Sequence, residues 1–321
     1  MLYVQAFREP QVWVGDHQLL KTIFNHQDSS GRSSDTLKKT RFIQITRKVS
    51  GDNIPGLVMS EGELWHQQRR FTLRTLKDFG FGRQGMERLI QEETQQFINF
   101  IKLDSDKPVD FTNKINLAII NALWKISVGE RFEYDDPVLL NIVQRLSECF
   151  KIVSDPKAGL VRSFPWLNYI VPEKIFKRKL LFSTFHQVVD MMQEKILEHQ
   201  QTLDINSPRD YTDMMLIEIE KTTDTSSSFY GQQGMDNLKV NLFDLFLAGS
   251  ETTSTTLSWA ILYMIRYPGV QEQVQQELDQ VVGTDRLPSL ADRPNLPYTE
   301  AVIMEIQRCG NIGPFGVQHK M

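Results

Sequence analysis

A glycine, a glutamate and a block of serines and threonines interrupt an apolar run in the second half of the chain. This stretch, FLAGSETTSTTLSW at residues 246–259, lies between segments rich in leucine and phenylalanine that favour a buried helix. Glycine costs about 1 kcal/mol relative to alanine in a helix interior, and threonine is a poorer helix former than leucine. Residues that weaken a helix at this position indicate a chemical role.

Thr252 and Glu251 are the candidate proton carriers in this stretch. Thr252 lies four residues after Ala248 on the same helix face, and its hydroxyl can bond to the carbonyl of Ala248 and bend the helix. Gly249 removes a side chain beside that bend, so that a small molecule could approach the backbone. A hydroxyl and an ionisable carboxyl beside a vacant space predict proton delivery to a bound molecule. The alternative is a Ser/Thr-rich patch that packs against another helix.

The composition is that of a globular protein with a substantial core. The 321 residues are 40% hydrophobic and 24% charged, which is ordinary for a soluble domain. The formal net charge of −4 gives no reason to expect nucleic acid as a partner. Cys149 and Cys309 provide no disulfide framework, and no run is long and apolar enough to span a bilayer.

Hydrophobic periodicity predicts a mainly α chain with a small β-sheet. YVQAF and QVWVGD alternate and predict a strand pair, and the spacing of Ser60 and Glu63 predicts a capping box that opens a helix towards Lys77. A helix of roughly 45 Å is predicted from Asp236 to Tyr267, ended by Pro268. TTDTSSSFYGQQG is expected to be a flexible loop. Further helices are predicted at DHQLLKTIF, MERLIQEETQQFINFI, FTNKINLAIINALWKI, PVLLNIVQRLSECFKIV, residues 174–201, DYTDMMLIEIEK, GVQEQVQQELDQVVG and YTEAVIMEIQRC.

Six motifs in order resemble the cytochrome P-450 family, the haem-thiolate monooxygenases. Ala248 to Thr253 resembles the distal-helix signature Ala/Gly-Gly-x-Asp/Glu-Thr-Thr/Ser, and Glu305 to Arg308 resembles the Glu-x-x-Arg pair. GELWHQQRRFTLRTLKDFGFG, FPWLNYIVP, DYTDMMLIEI and RPNLPYTEAVIMEIQR are similar to the animal microsomal branch. The resemblance covers essentially the whole chain and implies one incomplete cytochrome P-450 domain over residues 1–321.

The resemblance implies that residues of the distal helix manage oxygen and protons. Thr252 and Glu251 match positions that steer protons to dioxygen at the haem. Ala248 and Gly249 match the floor of the oxygen and substrate pocket. Both pairs are therefore expected beside the cofactor.

The resemblance also implies donors for the haem propionates. Trp65 and Arg69, four residues apart on the predicted helix, match positions that donate to a propionate, and their indole N–H and guanidinium suit a partly buried carboxylate. The alternative is an intrahelical cation–π pair on a solvated face. His319 is expected to reach a propionate as well, although a histidine at this position is often simply exposed. Arg70, Arg74 and Lys77 make the helix basic, which suits a negatively charged electron-transfer partner or simply a solvated face.

Two further sets of positions receive roles from the resemblance alone. Glu305 and Arg308 match a buried structural ion pair, which needs a third partner to satisfy its remaining donors and acceptors. An apolar substrate cavity is expected to be lined, together with Ala248, by Val58, Met59, Phe246 and Val317.

No metal ligand can be assigned in this chain. The family binds iron through a cysteine in a Phe-x-x-Gly-x-Arg-x-Cys-x-Gly loop after the Glu-x-x-Arg helix, and neither Cys149 nor Cys309 lies in such a loop. The microsomal membrane anchor is missing too, so the sequence is interpreted as a fragment. The alternative is a truncated, non-catalytic helical protein that binds partners or ligands but no haem.

The resemblance implies the activity of the full-length parent. It would be a monooxygenase that uses heme b iron to insert one oxygen atom of dioxygen into a lipophilic substrate of xenobiotic, steroid or fatty-acid type. Electrons would come from NADPH through a flavoprotein, NADPH-cytochrome reductase. The parent would associate with the endoplasmic reticulum membrane on its cytosolic face.

Overall fold

A computed structural model describes residues 1–6, 9–32, 54–81, 84–103, 108, 111–155, 167–173, 177–313, 316, 319 and 320. The predicted strand pair is confirmed: β1 (Leu2–Ala6) and β2 (Glu9–Trp13) are antiparallel, with Leu2 opposite Trp13. The described α-helices are α1 (His17–Asn25), α2 (Gly62–Asp78), α3 (Gln84–Lys102), α4 (Thr112–Val128), α5 (Pro137–Ser154), α6 (Leu167–Ile170), α7 (Arg178–Thr202), α8 (Tyr211–Lys221), α9 (Gly231–Arg266), α10 (Pro268–Val281) and α11 (Pro297–Gly310).

The long helix α9 is the central element of the fold. It has 36 residues and begins five residues before the predicted start, so that the GQQG segment belongs to the helix and not to the preceding loop. Pro268 ends α9 as predicted and immediately opens α10, because proline is tolerated in the first turn of a helix. No described helix has the combination of length and apolar composition that a membrane crossing requires.

The core forms where α9 packs against α4, α7 and α8, with α5 packed against α4 and α7, and the most extensive helix contact of α9 is with α4. Trp124 of α4 is almost fully buried there, with its ring centroid 5.5 Å from that of Phe246 on α9. The helices arise from local apolar periodicity, but their stability depends on burying these faces against one another. The largest fully buried side chains are Trp124, Tyr211, Phe243, Leu117, Ile120, Leu139, Ile142, Leu146, Met192, Ile196 and Met215.

The segment before α9 is anchored in the core, and the prediction of a flexible loop is wrong for its second half. Ser228 and Phe229 are 2% and 7% exposed. The Ser228 hydroxyl accepts a hydrogen bond from Gln68 Nε2 at 2.9 Å, and its carbonyl accepts one from Asn237 Nδ2 at 2.9 Å. Phe229 packs against Phe71 with ring centroids 5.1 Å apart. This part of the segment is therefore buried, although its polar sequence predicted a flexible loop.

The predicted capping box of α2 is also wrong, although the helix itself is confirmed. The N-cap is Glu61, whose side chain makes no cap hydrogen bond. Ser60 lies one residue before the cap, and its hydroxyl donates to the carbonyl of Gly56 instead. The helix begins at Gly62, whose φ of +67° is the left-handed conformation that glycine adopts readily.

A buried charged pair joins the end of α7 to the start of α8. His199 Nδ1 lies 2.7 Å from the carbonyl of Lys195, and Nε2 lies 2.8 Å from Asp210 Oδ2. Both partners are acceptors, so both ring nitrogens donate and the ring is an imidazolium. Burial alone lowers the pKa of His199, but the bond to the Asp210 carboxylate outweighs it and the pKa lies above the ordinary histidine value. Asp210 also caps α8 by accepting from the Asp213 N–H.

Candidate active site

The middle of α9 presents the motif that suggested proton chemistry. Thr252 Oγ1 donates to the carbonyl of Ala248 at 2.9 Å, which confirms the predicted bond to the carbonyl four residues earlier. Thr256 repeats the same bond to the carbonyl of Thr252 at 2.9 Å. The helix runs unbroken through the motif, and both Ala248 and Thr252 are exposed. These small side chains leave an open face on which a flat ligand could lie.

The space beside Gly249 is filled by a neighbouring helix and not vacant as predicted. A Cβ atom added at Gly249 would lie 2.0 Å from Leu123 Cδ1 of α4. A contact this short is impossible for a real side chain, so glycine permits the close approach of α4 to α9. The absence of a side chain at Gly249 is thus explained by helix packing.

Glu251 is turned towards α4 and α5, away from the open face. Its carboxylate accepts hydrogen bonds from Ser147 Oγ, at 3.3 and 3.2 Å from its two oxygens, and from Asn116 Nδ2 at 3.4 Å. The side chain is half-buried. Burial raises the pKa of Glu251 above its ordinary value, against the opposing effects of Ser147, Asn116 and the positive charge of Lys151. A carboxyl with a raised pKa keeps its proton to a higher pH than an ordinary glutamate, which suits a proton donor.

The segment before α2 is fastened to α9 one turn before Ala248. Asp244 of α9 is buried, and its Oδ2 accepts hydrogen bonds from the backbone N–H groups of Leu57 and Val58 at 2.8 and 3.0 Å. Val58 and Met59, predicted to contact substrate, are half-buried. Asp244 therefore places both residues beside the motif-bearing part of α9.

Trp65 and Arg69 form the cation–π pair that was the alternative prediction. The guanidinium carbon of Arg69 lies 5.3 Å from the centroid of the Trp65 ring. The Trp65 N–H donates to the carbonyl of Leu57 at 3.1 Å, so it is not available to a propionate in this arrangement. In the part of the chain that the structure describes, no carboxylate pairs with Arg69, whose polar hydrogens are left for another acceptor.

His319 joins the same region through Arg32, a residue that sequence reasoning missed. His319 Nδ1 lies 2.7 Å from the carbonyl of Ser29, and Arg32 Nη1 lies 3.0 Å from Nδ1 and 3.3 Å from Nε2. Arg32 Nε donates to the carbonyl of Val58 at 3.1 Å. A single arginine in the polar stretch SSGRSSD gave no signal of this role, because the partner His319 is distant in sequence.

The charges of this region fit an anionic group such as a haem propionate. Burial lowers the pKa of Arg32, and repulsion from the positive charge of Arg69 lowers it further. Like charges repel, and a carboxylate between or beside them would relieve that repulsion. The residues present therefore fit the acidic edge of haem, with Arg69 as the donor that has no polar partner among the described residues.

Unlike Val58 and Met59, two other residues predicted to contact substrate, Phe246 and Val317, are not supported by the structure. Phe246 is 4% exposed and belongs to the core, where it packs edge-on against Trp124. Its contact with substrate therefore stays a prediction. Its neighbour Leu247 is half-buried. Val317 lies outside the described residues.

The Glu305–Arg308 pair forms, but on the surface and not in the predicted buried setting. Arg308 Nε and Nη2 donate to the two Glu305 oxygens at 2.7 and 2.6 Å, and the side chains are 71% and 60% exposed for arginine and glutamate. The hydrogen bonds from Arg308 lower the pKa of Glu305 to about 2. The thiol of Cys309 is exposed and lies 3.5 Å from Glu305, within a helix and not in a ligand loop.

A cavity of about 200 Å³ lies between α9 and α11. Ligand pockets for drug-sized molecules occupy about 300–1,000 Å³, so this space is too small for a cofactor of haem size. It begins one turn after Thr252 and is lined by Thr256, Trp259, Ile306, Gln307, Gly310, Asn311 and Ile312.

Comparison with known proteins agrees with these features along the whole chain. The family model described as Cytochrome P450 matches residues 1–321. Cytochrome P450 2J3 of Rattus norvegicus is 37% identical over 314 residues, which cover 97% of this chain and 59% of that protein. Cytochrome P450 2J2 of Homo sapiens is 40% identical over 266 residues, covering 83% of this chain and 52% of the relative.

A third relative has a similar identity and a similar coverage. Cytochrome P450 2C8 of Homo sapiens is 34% identical over 300 residues, covering 92% of this chain and 57% of that protein. The chain thus spans about half the length of the curated relatives it matches. The mainly helical fold, the hydroxyl and carboxyl motif of α9 and the family match over residues 1–321 lead to one conclusion: the chain belongs to the cytochrome P450 family.

Proposed function

We propose that the full-length protein carrying this chain is a haem-dependent monooxygenase that acts on a lipophilic substrate. The observation that carries the proposal is the exposed Thr252 hydroxyl, bonded to the Ala248 carbonyl on the open face of α9. It lies two turns along the helix from Asp244, the residue that fastens Val58 in place. The Thr252 hydroxyl, the open face of α9 and the cationic residues that contact Val58 therefore belong to one region.

Arg69 is the residue proposed to hold a haem propionate. Trp65 keeps the guanidinium in place through its ring, and Arg32, which contacts His319, adds positive charge nearby. A guanidinium binds a carboxylate through parallel N–H groups, and such charge-assisted bonds are stronger than those between neutral groups. When bound, haem supplies the activation of dioxygen. No iron ligand is proposed among the described residues.

The protein supplies protons and an apolar wall. Ala248 is proposed to lie on the distal side of the cofactor, and the Thr252 hydroxyl to hold a proton there, while Gly249 lets α4 approach α9 closely. Glu251 is proposed to replace that proton from the other side of the helix. Val58 and Met59, and by resemblance Val317, are proposed to contact the apolar part of the substrate.

The redox and cellular setting is proposed from the family. The electrons are proposed to come from NADPH through a flavoprotein reductase, and the exposed basic residues Arg70, Arg74 and Lys77 of α2 suit an acidic partner. The full-length protein is proposed to associate with the endoplasmic reticulum membrane, as expected for the microsomal branch. Steroids, fatty acids and foreign lipophiles all match an apolar wall of this kind.

The deciding experiment is an absorption spectrum of the full-length protein, reduced and exposed to carbon monoxide. A thiolate-type Soret band, together with NADPH-dependent oxygenation of a lipophilic substrate in the presence of reductase, is the expected result. A purified, folded protein that takes up no haem would contradict the proposal and favour a non-catalytic helical protein.

A further inference from the structure

The carboxyl group of Glu251 is held by two polar side chains from neighbouring helices. Ser147 of α5 reaches both carboxylate oxygens, at 3.3 and 3.2 Å, and Asn116 of α4 reaches one of them at 3.4 Å. Asn116 is 3% exposed and Ser147 is half-buried, so helix packing fixes both donors. In the described part of the chain, neither side chain has another hydrogen-bond partner. Among the described residues, both side chains therefore hydrogen-bond to Glu251 alone.

Thr252 faces a different side of α9 although it is the next residue. Successive residues of an α-helix point about 100° apart. The Thr252 hydroxyl is exposed and bonded to its own helix, whereas the Glu251 carboxyl lies against α4 and α5. Helix geometry thus directs Glu251 towards α4 and α5, and the bonds to Ser147 and Asn116 hold its carboxyl there.

We propose that Ser147 is a positioning residue for Glu251, with Asn116 as a second support. The two donors hold the carboxyl where α4, α5 and α9 meet, near the exposed Lys151. At this position the Glu251 carboxylate takes up a proton from solvent water. This inference rests on the proposed role of Glu251 in proton delivery. It adds that the donor set outside α9 controls where the acid sits and when it is ionised.

Two opposing effects on the pKa of Glu251 explain why its carboxyl needs a hydrogen-bond donor. Burial disfavours the charged carboxylate and raises the pKa of Glu251. Hydrogen bonds from Ser147 and Asn116 favour the charged form and act in the opposite direction. Without the Ser147 hydroxyl the carboxyl would keep its proton to a higher pH. An acid that must release and regain a proton works best when its pKa is near the working pH.

The step served by this arrangement is a proton transfer without any change in electron count. The O–H bond of protonated Glu251 breaks as a water molecule accepts the proton, and this water releases a proton to Thr252 Oγ1, whose own proton goes to the bound molecule. A new O–H bond then forms when the carboxylate takes a proton from water at the junction of the three helices. Ser147 donates a hydrogen bond throughout and is not consumed.

The test measures the titration of Glu251 directly in the full-length protein. The infrared difference between wild type and Glu251→Gln isolates the carboxyl band, which is followed across pH. We expect Ser147→Ala to move this titration to higher pH and to shift the pH profile of product formed per NADPH in the same direction. We also expect it to lower that yield by about tenfold, less than the contribution of a complete general acid.

Matched variants separate positioning from general damage to the fold. Ser147→Thr keeps the hydroxyl and should restore the wild-type titration. Ser258→Ala removes a half-buried hydroxyl that bonds only to the Ser254 carbonyl of its own helix, and should leave the titration unchanged. Thermal unfolding of each variant verifies the fold.

Two outcomes distinguish this inference from the proposed function. If Glu251→Gln loses coupling but Ser147→Ala leaves the infrared titration of Glu251 unchanged, the positioning role is wrong and the proposed function stands. If Glu251→Gln itself keeps full product yield, the proposed proton delivery by Glu251 is wrong and the role of Ser147 is overturned with it.

Discussion

Leu123 of α4 occupies the space that a side chain at Gly249 of α9 would need. A Cβ atom at Gly249 would lie 2.0 Å from Leu123 Cδ1, far inside van der Waals contact. This pair sets how closely the two most extensively packed helices approach. It also places α4, and with it Asn116, within reach of Glu251.

Gly249→Ala should destabilise the protein although alanine is the better helix former. Overpacking a core contact costs about 1–3 kcal/mol, which exceeds the helix propensity gained. The free energy of unfolding from urea denaturation of the full-length protein measures the loss. Gly269→Ala is the control, because nothing lies within 4 Å of its added Cβ, and it should be neutral or stabilising. If adding Leu123→Ala rescues none of the loss at Gly249, the steric explanation is wrong.

The pH dependence of stability should report the buried imidazolium of His199. Its pKa is raised in the folded state by the bond to Asp210. A raised folded pKa means that the stabilisation is fully present below the unfolded value, about 6.5, and is lost as pH rises through the folded pKa. Urea unfolding of wild type and His199→Gln across pH should show a gap that narrows towards high pH. A gap that widens as pH rises would contradict a charged His199.

Thr252→Ala in the full-length protein should uncouple NADPH oxidation from product formation. The hydroxyl exposed on α9 is the proposed proton holder, so its loss should leave haem and substrate binding intact while reducing equivalents appear as peroxide. Product and peroxide per NADPH are the measured quantities. Thr253→Ala removes an equally exposed hydroxyl from the next position and should behave as wild type. Unchanged product yield in Thr252→Ala would show that this hydroxyl has no part in proton delivery.

Arg69→Ala should lower the haem content of the purified full-length protein more than Arg70→Ala or Arg74→Ala. Arg69, Arg70 and Arg74 are all exposed, but of the three only Arg69 is described with its guanidinium over the Trp65 ring and in electrostatic contact with Arg32. Loss of the partner of a partly buried carboxylate costs more than loss of an exposed charge. Haem per protein and the rate of haem loss to an acceptor protein are measured. Equal values for the three variants would show that Arg69 is an ordinary surface residue.

The sequence by itself determined the helices, the strand pair and the family motif. Apolar periodicity is local, so α9 and its end at Pro268 were predictable, as was the bond from Thr252 to Ala248, which depends only on helix geometry. Composition alone, however, misjudged Ser228 and Phe229, because a polar segment can be buried when its hydrogen bonds are met by distant partners such as Gln68 and Asn237.

Only the tertiary structure decided which residues of other helices contact each face of α9. The positions of Gly249 and Glu251 in the sequence do not reveal that one packs on Leu123 and the other bonds to Ser147, because these partners lie on helices more than a hundred residues away. The same holds for Arg32 and His319, which come together through Val58 and Ser29. Helix formation follows from local preferences, whereas the choice of contacting faces follows from the packing of several helices at once.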